Sequence, residues 1–174
     1  MTRSLAVLLL AAALSACSGG GEPAAEPSTS VSPSPSAPPT ATPAPVPAEH
    51  ACYLLAYDVA VAPTVEQDPV DCGRRHTSMT FAVGRLDTLV DGHLLAVDAE
   101  RVQAQVAAAC PARLSAFVGG TRADLRLSML RTVWFTPSVE ESDTGASWFR
   151  CDVVALAAEG ELAPLTGRLA GVLD

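Results

Sequence analysis

His76 is the residue of this 174-residue chain whose type and setting come closest to acid–base chemistry. It closes a polar turn at residues 71–76, and Ser78 follows two residues later, on the same side if a strand has begun. A general base also needs an orienting acid, and no nucleophile-elbow, Ser-x-x-Lys or His-Glu-x-x-His motif accompanies this pair. We therefore interpret His76 as hydrogen-bonded to its own turn, with ligand binding as the alternative and a hydrolase as a distant one. We expect no enzyme.

Cysteine is the second chemistry-bearing residue type. Cys72 and His76 have the spacing of metal ligands, and Cys52 could join them, but no fourth ligand is evident. Four cysteines in an exported domain favour two disulfides over a metal, so we expect neither a metal nor a cofactor. Three pairings are open, and we favour Cys52–Cys72 with Cys110–Cys151 as the simplest.

Two aromatic pairs, Trp134–Phe135 and Trp148–Phe149, offer a possible platform for a glycan or a peptide. Such residues on strands more often belong to the core. Adjacent strand residues face opposite sides, so one member of a pair can be exposed, and Trp148 is the candidate binding residue. The carboxylates of Glu140, Glu141 and Asp143 lack the spacing of a calcium loop, and we interpret them as a solvated rim.

The N-terminus has the pattern of a secretory signal: Arg3, an apolar run over residues 5–14, and small residues after it. The run is too short to cross a bilayer, which takes about 20 residues. Leu14-Ser15-Ala16-Cys17 resembles the lipobox of bacterial lipoproteins, in which the cysteine thiol becomes a thioether to diacylglycerol. We expect a signal peptide at residues 1–16 and lipid attachment at Cys17; the alternative is an ordinary secretory signal.

Residues 17–49 form the next segment, rich in proline, serine, alanine and glycine. Nine of the fourteen prolines lie between Pro23 and Pro47, with too few large side chains to offset the entropy of ordering. Such a segment favours extended polyproline II geometry at about 3.1 Å per residue, which gives the part from Glu22 to Pro47 a reach of roughly 80 Å. We interpret it as a disordered linker that lifts a domain away from a membrane.

Residues 50–174 hold all eight aromatic residues and form one domain. The chain has no lysine, and its formal charge is −8; the domain alone carries ten arginines against sixteen carboxylates. This acidity argues against a nucleic-acid partner, because phosphate binding needs a basic face.

Hydrophobic spacing predicts strands over residues 77–86, 125–135 and 147–156, with Leu125, Leu127 and Met129 facing inward. A helix is expected from Asp98, as N-cap, to residue 117 or 118, with Pro111 as a weak point and two glycines as the stop. A short strand or loop is expected over 59–65, and loops over 87–92 and 137–145. The order predicts an α+β domain with a small antiparallel sheet, one main helix and two disulfides.

The ordered set of motifs resembles septum-formation-type domains, found mainly in actinobacterial membrane proteins and lipoproteins. The motifs are Val70-Asp71-Cys72 with His76-Thr77, Ala109-Cys110-Pro111 with Phe117-Val118-Gly119, and Trp148-Phe149-Arg150-Cys151. Alanine richness and exclusive use of arginine fit a high-GC actinobacterium. The resemblance implies a role in septum formation during cell division and names no chemistry.

These observations together predict a lipoprotein anchored at the outer face of the cytoplasmic membrane, with a non-catalytic interaction domain. Its expected partners are the membrane, through the N-terminal lipid, and cell-wall or division proteins. The rival hypothesis is a lipoprotein that binds cell-wall glycan or peptide.

Overall fold

The computed structural model describes residues 42–173, and the predicted signal peptide, Cys17 and the first part of the linker lie outside them. The described part is an α+β domain with a four-stranded antiparallel sheet, one long helix and two disulfides, as the sequence predicted. In chain order the elements are β1 (Cys52–Tyr53), α1 (Tyr57–Ala60), β2 (Ser78–Arg85), β3 (Leu89–Val90), β4 (His93–Leu94), α2 (Glu100–Val118), α3 (Arg122–Leu127), β5 (Leu130–Phe135), α4 (Val139–Asp143) and β6 (Trp148–Ala155).

The main sheet has the order β1-β2-β6-β5, so β6 lies at its centre and β5 at one edge. Every residue of β6 is buried, because α2 covers one face of the sheet and the segments around α1 and α4 cover the other. β3 and β4 form a separate two-stranded hairpin. No helix among residues 42–173 is both long and apolar enough to span a membrane.

The long helix α2 confirms the apolar stripe that the sequence predicted. Val102, Val106, Cys110 and Leu114 are buried along it, and Val118 rather than Phe117 completes the buried set. The helix begins after Ala99 rather than at Asp98, and it continues through Pro111. Gly119 ends it with a φ of 79°, the left-handed conformation that glycine adopts without strain.

The strand predicted over residues 125–135 is wrong in its first half, where the chain forms α3 instead. Thr121 and Asp124 make a capping box that starts this helix. The alternation of apolar residues suggested an inward-facing strand, but Leu127 is 87% exposed and Met129 is 52% exposed. Residues 137–145 likewise contain α4, started by the capping box of Ser138 and Glu141. In both places a side chain satisfies the free backbone N–H groups of a short helix, which favours helix over strand or loop.

Smaller differences concern the other loops. Residues 57–60 form the helix α1, just ahead of and overlapping the segment expected as a short strand or loop, and the loop at 87–92 contains β3. The C-terminal tail packs onto the domain through buried Leu165 and Leu169. Ala44, within the predicted linker, packs against the apolar residues around Tyr53 and Trp148.

Gly84 and Phe149 are directly opposite each other on β2 and β6, and the Phe149 ring occupies the space that a side chain at position 84 would need. We expect Gly84→Ala to lower the free energy of unfolding by about 1–3 kcal/mol, the usual cost of overpacking a buried site. Urea denaturation measures it. Gly84→Ala in a Phe149→Leu background is the control, because the smaller side chain leaves more space at position 84 and the added methyl group should then cost less. An unchanged Gly84→Ala midpoint would contradict the packing argument.

Candidate functional site

His76 is fully buried, and its ring serves the turn that carries it. Nδ1 lies 2.9 Å from the backbone carbonyl oxygen of Arg74. The backbone N–H and C=O of His76 both pair with Leu165, at 3.1 and 2.7 Å. Nε2 has no hydrogen-bond partner among the described residues. This geometry supports the structural interpretation of His76, because a buried ring that braces its own turn presents no face to a substrate.

Ser78, the proposed partner of His76, is instead engaged with a buried carboxylate. Its hydroxyl donates to Asp152 Oδ2 at 2.8 Å, and the hydroxyl of Thr80 donates to Asp152 Oδ1 at 2.7 Å. Ser78, Thr80 and Asp152 are each 0% exposed. The structure therefore does not bring His76 and Ser78 together as a catalytic pair; it places Ser78 in a polar cluster inside the sheet.

Arg150 completes this buried polar cluster, which we define as Ser78, Thr80, Arg150 and Asp152. The Arg150 guanidinium lies 3.1 Å from Asp152 Oδ2, and it stacks over the rings of Tyr53 at 3.9 Å and Phe135 at 4.6 Å. Weakly hydrated guanidinium groups favour such aromatic faces. The cluster thus pairs the buried charge of Arg150 with a carboxylate, while Arg150 Nε and Nη2 have no hydrogen-bond partner among the described residues.

Burial is the main influence on the ionisation of Asp152. It raises the pKa of Asp152 above its ordinary value, against the opposing pull of Arg150 and the two hydroxyl donors. Burial also raises the pKa of Tyr53, whose ring Arg150 covers. The sequence carried a signal for this cluster: Arg150 and Asp152 are two residues apart in the strand predicted over residues 147–156, so both point to one face.

The four cysteines of the domain form the favoured pairing. Cys52 is bonded to Cys72 and Cys110 to Cys151, each with Cα atoms 5.3 Å apart. Cys72 is therefore not free to ligate a metal with His76. Within residues 42–173 no group of three His, Cys, Asp or Glu side chains has the arrangement of a metal site.

The residues of the two aromatic pairs lie in the core or pack against it. Trp148 is only 7% exposed and packs with Tyr53 and Phe135, while Trp134 is half-buried. Phe149 on the opposite face of β6 is buried as well. Neither member of this pair is exposed, because β6 is the central strand and is covered on both faces.

A groove beside β5 is the surface feature that the sequence did not indicate. It lies between α2, α3 and β5, has a volume of about 750 Å³, and is lined in part by Arg122, Arg126 and Arg131. We call it the arginine groove. None of the three arginines forms an ion pair with a carboxylate of residues 42–173. The groove could not be predicted from the sequence, because it depends on how α3 packs in the fold and part of α3 was expected to be a strand.

The comparisons with known proteins now give the family. The model of the septum formation family matches residues 26–141, two thirds of the chain. The chain belongs to the septum formation family.

Membership in the septum formation family indicates a role related to septum formation, and this is not a known enzyme family. The matched residues include Cys52, Cys72, Cys110 and the arginine groove, while β6 with Cys151 follows them. No curated protein and no solved structure shows a significant match to the chain.

Proposed function

We propose that this septum formation family member is a lipid-anchored, non-catalytic interaction module at the outer face of the cytoplasmic membrane. The observation that carries the proposal is the arginine groove, a solvent-open surface beside a sheet edge in a domain of this family. A non-catalytic role is also supported by the two residues considered for catalysis, because His76 braces its turn and Ser78 donates a hydrogen bond to Asp152.

The proposed location follows from the sequence and the cysteine chemistry. Cys17 ends a lipobox-like motif, and one diacylglyceryl group carries the two acyl chains that stable anchoring requires. Disulfides form and persist in oxidising compartments outside the cytoplasm, and the domain holds two of them. The proline-rich linker would then carry the domain away from the membrane surface.

The rival functions draw less support. A glycan-binding lipoprotein would use an exposed aromatic face, whereas Trp148 is buried. A hydrolase would need His76 in an open cleft, whereas its ring is 0% exposed. The buried positions favour an interaction surface over either function.

The anchor is tested by Cys17→Ser in the full-length chain. We expect the wild type to sediment with membranes and the variant to lose lipid labelling and appear in the soluble fraction after export. Ser18→Ala is the matched control, since it changes the neighbouring residue and leaves the thiol. Retention of lipid label by Cys17→Ser would rule out this cysteine as the attachment site.

The septal role is tested with a fluorescent protein fused to the C-terminus and followed through division. We expect enrichment at the division site, because family membership indicates a role related to septum formation. The control is the same fluorescent protein carried by residues 1–49 alone, which contains the predicted anchor and linker without the domain. Even staining of the cell periphery by the full chain, like the control, would contradict a septal role.

A further inference from the structure

The outer edge of β5 has unpaired backbone groups. Register fixes which residues face outward: Met129 accepts from Leu156 on the β6 side, and Thr136 donates to Pro63 on the opposite side. Backbone direction alternates along an antiparallel strand, so Thr132 and Trp134 point away from β6. Within residues 42–173 the backbone N–H and C=O groups of Thr132 and Trp134 have no hydrogen-bond partner. Such an edge is a template for another strand.

A cavity lies on each side of this edge. The arginine groove is on the side of α2 and includes Thr132 in its wall. On the other face of the sheet, residues 60–63 and 132–134 enclose about 300 Å³, with almost entirely apolar walls. We call this second cavity the apolar cleft. An added strand would direct alternate side chains into the arginine groove and the apolar cleft.

The charge of the groove selects the chemistry of the occupant. Arg122 and Arg126 are exposed and lie one turn apart on α3. The guanidinium of Arg131 donates hydrogen bonds to the backbone carbonyl oxygens of Ser128 and Leu130. These cations stand together in a domain with six more acidic than basic residues. Carboxylates are their natural complement, since arginine binds them with paired hydrogen bonds.

We propose that the free edge of β5 accepts an extended segment of a partner protein as a fifth strand, with acidic side chains toward the arginine groove and small apolar ones toward the apolar cleft. The proposal rests on the proposed function, because it names the partner chemistry of an interaction module. Exposed Leu127 and Met129 next to the arginines would also suit a lipid surface. A peptide is favoured because lipid headgroups do not supply the regular donors and acceptors of a strand.

The probe is a short acetylated peptide with a threonine at each end. Glutamate and valine alternate along the stretch between the two threonines. It is added to the full-length protein in detergent micelles, and amide hydrogen exchange is read residue by residue. We expect exchange at Thr132 and Trp134 to slow at least about tenfold, while Arg131 and Val133 stay unchanged because they already pair with β6. A peptide with lysine in place of glutamate should produce no protection.

Two variant pairs isolate the two contacts. Thr132→Pro removes an outward N–H at an edge position where proline is tolerated, and Thr132→Val keeps that N–H. Arg122→Glu with Arg126→Glu reverses the groove, and Arg74→Glu with Arg75→Glu makes the same charge change at exposed residues elsewhere. We expect Thr132→Pro and the groove reversal each to weaken peptide binding about tenfold or more, and the two matched controls to change it less than about twofold.

Several results would overturn the proposal. They are peptide binding that survives both Thr132→Pro and the groove reversal, protection absent from Thr132 and Trp134, or tighter binding of the lysine peptide. Dimerisation abolished by Thr132→Pro would assign the edge to a second copy. Protection of the same surface only by mixed detergent micelles that contain phosphatidylglycerol would assign it to lipid. Septal enrichment of the fluorescent fusion is scored separately, so the proposed function can stand if this strand site fails.

Discussion

Replacing Asp152 with alanine is expected to lower the free energy of unfolding by about 3–5 kcal/mol. The carboxylate accepts from Ser78 and Thr80 and lies 3.1 Å from the Arg150 guanidinium. Alanine would leave the two buried hydroxyl donors without an acceptor and the buried guanidinium without its opposite charge, and an uncompensated buried charge is among the most destabilising changes in a core. Guanidinium denaturation followed by circular dichroism measures the loss.

Two asparagine variants separate burial from charge. Asp152→Asn keeps the shape and one carbonyl acceptor, so we expect it to recover part of the loss seen with alanine. Asp91→Asn removes the carboxylate of the exposed Arg101–Asp91 pair, and its effect should stay within about 0.5 kcal/mol, as for most surface pairs. If Asp152→Ala were no more harmful than Asp91→Asn, the cluster would not stabilise the fold.

The pH dependence of Asp152 has the opposite sign from that of most carboxylates. Burial raises its pKa in the folded state, so between the unfolded and folded pKa values the folded chain holds more protons. The contribution of Asp152 is therefore full below its ordinary pKa near 3.8 and declines as the pH rises through the folded pKa. Asp152→Asn should abolish this component, and denaturation curves for wild type and variant across the acidic range would show whether it does.

The regular elements with strong apolar spacing could be predicted from the sequence. The α2 stripe recurs every four residues, and β2 and β6 hold closely spaced apolar residues such as Met79, Phe81 and Val153, so their burial could be expected from the sequence. The short helices α3 and α4 could not be found this way, since they bury no residue completely. Their signals were the capping boxes at Thr121 and Ser138, which act locally and leave the apolar period unchanged.

In the candidate site, too, local features could be predicted from the sequence and features that depend on tertiary packing could not. That His76 braces its own turn followed from its position beside Cys72, because the chemistry involved was local. The arginine groove is formed where α3 packs beside α2 and β5, so it depends on packing between different segments of the chain. No spacing along the chain relates Arg122 to the free backbone edge of Thr132.

Loss of the Cys110–Cys151 disulfide is expected to destabilise the domain more than loss of Cys52–Cys72. Both Cys110 and Cys151 are 0% exposed, and their bond ties α2 to the central strand β6. Cys52 lies on the two-residue edge strand β1, and Cys72 lies half-buried in a turn. The sequence separation is 41 for Cys110–Cys151 and 20 for Cys52–Cys72. A doubling of loop length changes the entropic free energy of loop closure by only about 0.6 kcal/mol. Position in the core should therefore decide the difference.

The measurement compares the double variants Cys110→Ala with Cys151→Ala and Cys52→Ala with Cys72→Ala. We expect the first to lose about 4 kcal/mol with a broad fall in amide protection, because α2 loses its bond to the sheet, and the second about 2–3 kcal/mol with loss mainly around β1. Partial reduction checks the same hierarchy: Cys72 is the one sulfur of the four that is not fully buried, so alkylation should mark Cys52 and Cys72 first. A difference between the two losses no larger than about 0.6 kcal/mol would show that loop closure rather than core position sets the contribution of each bridge. Earlier alkylation of Cys110 would contradict the predicted order of reduction.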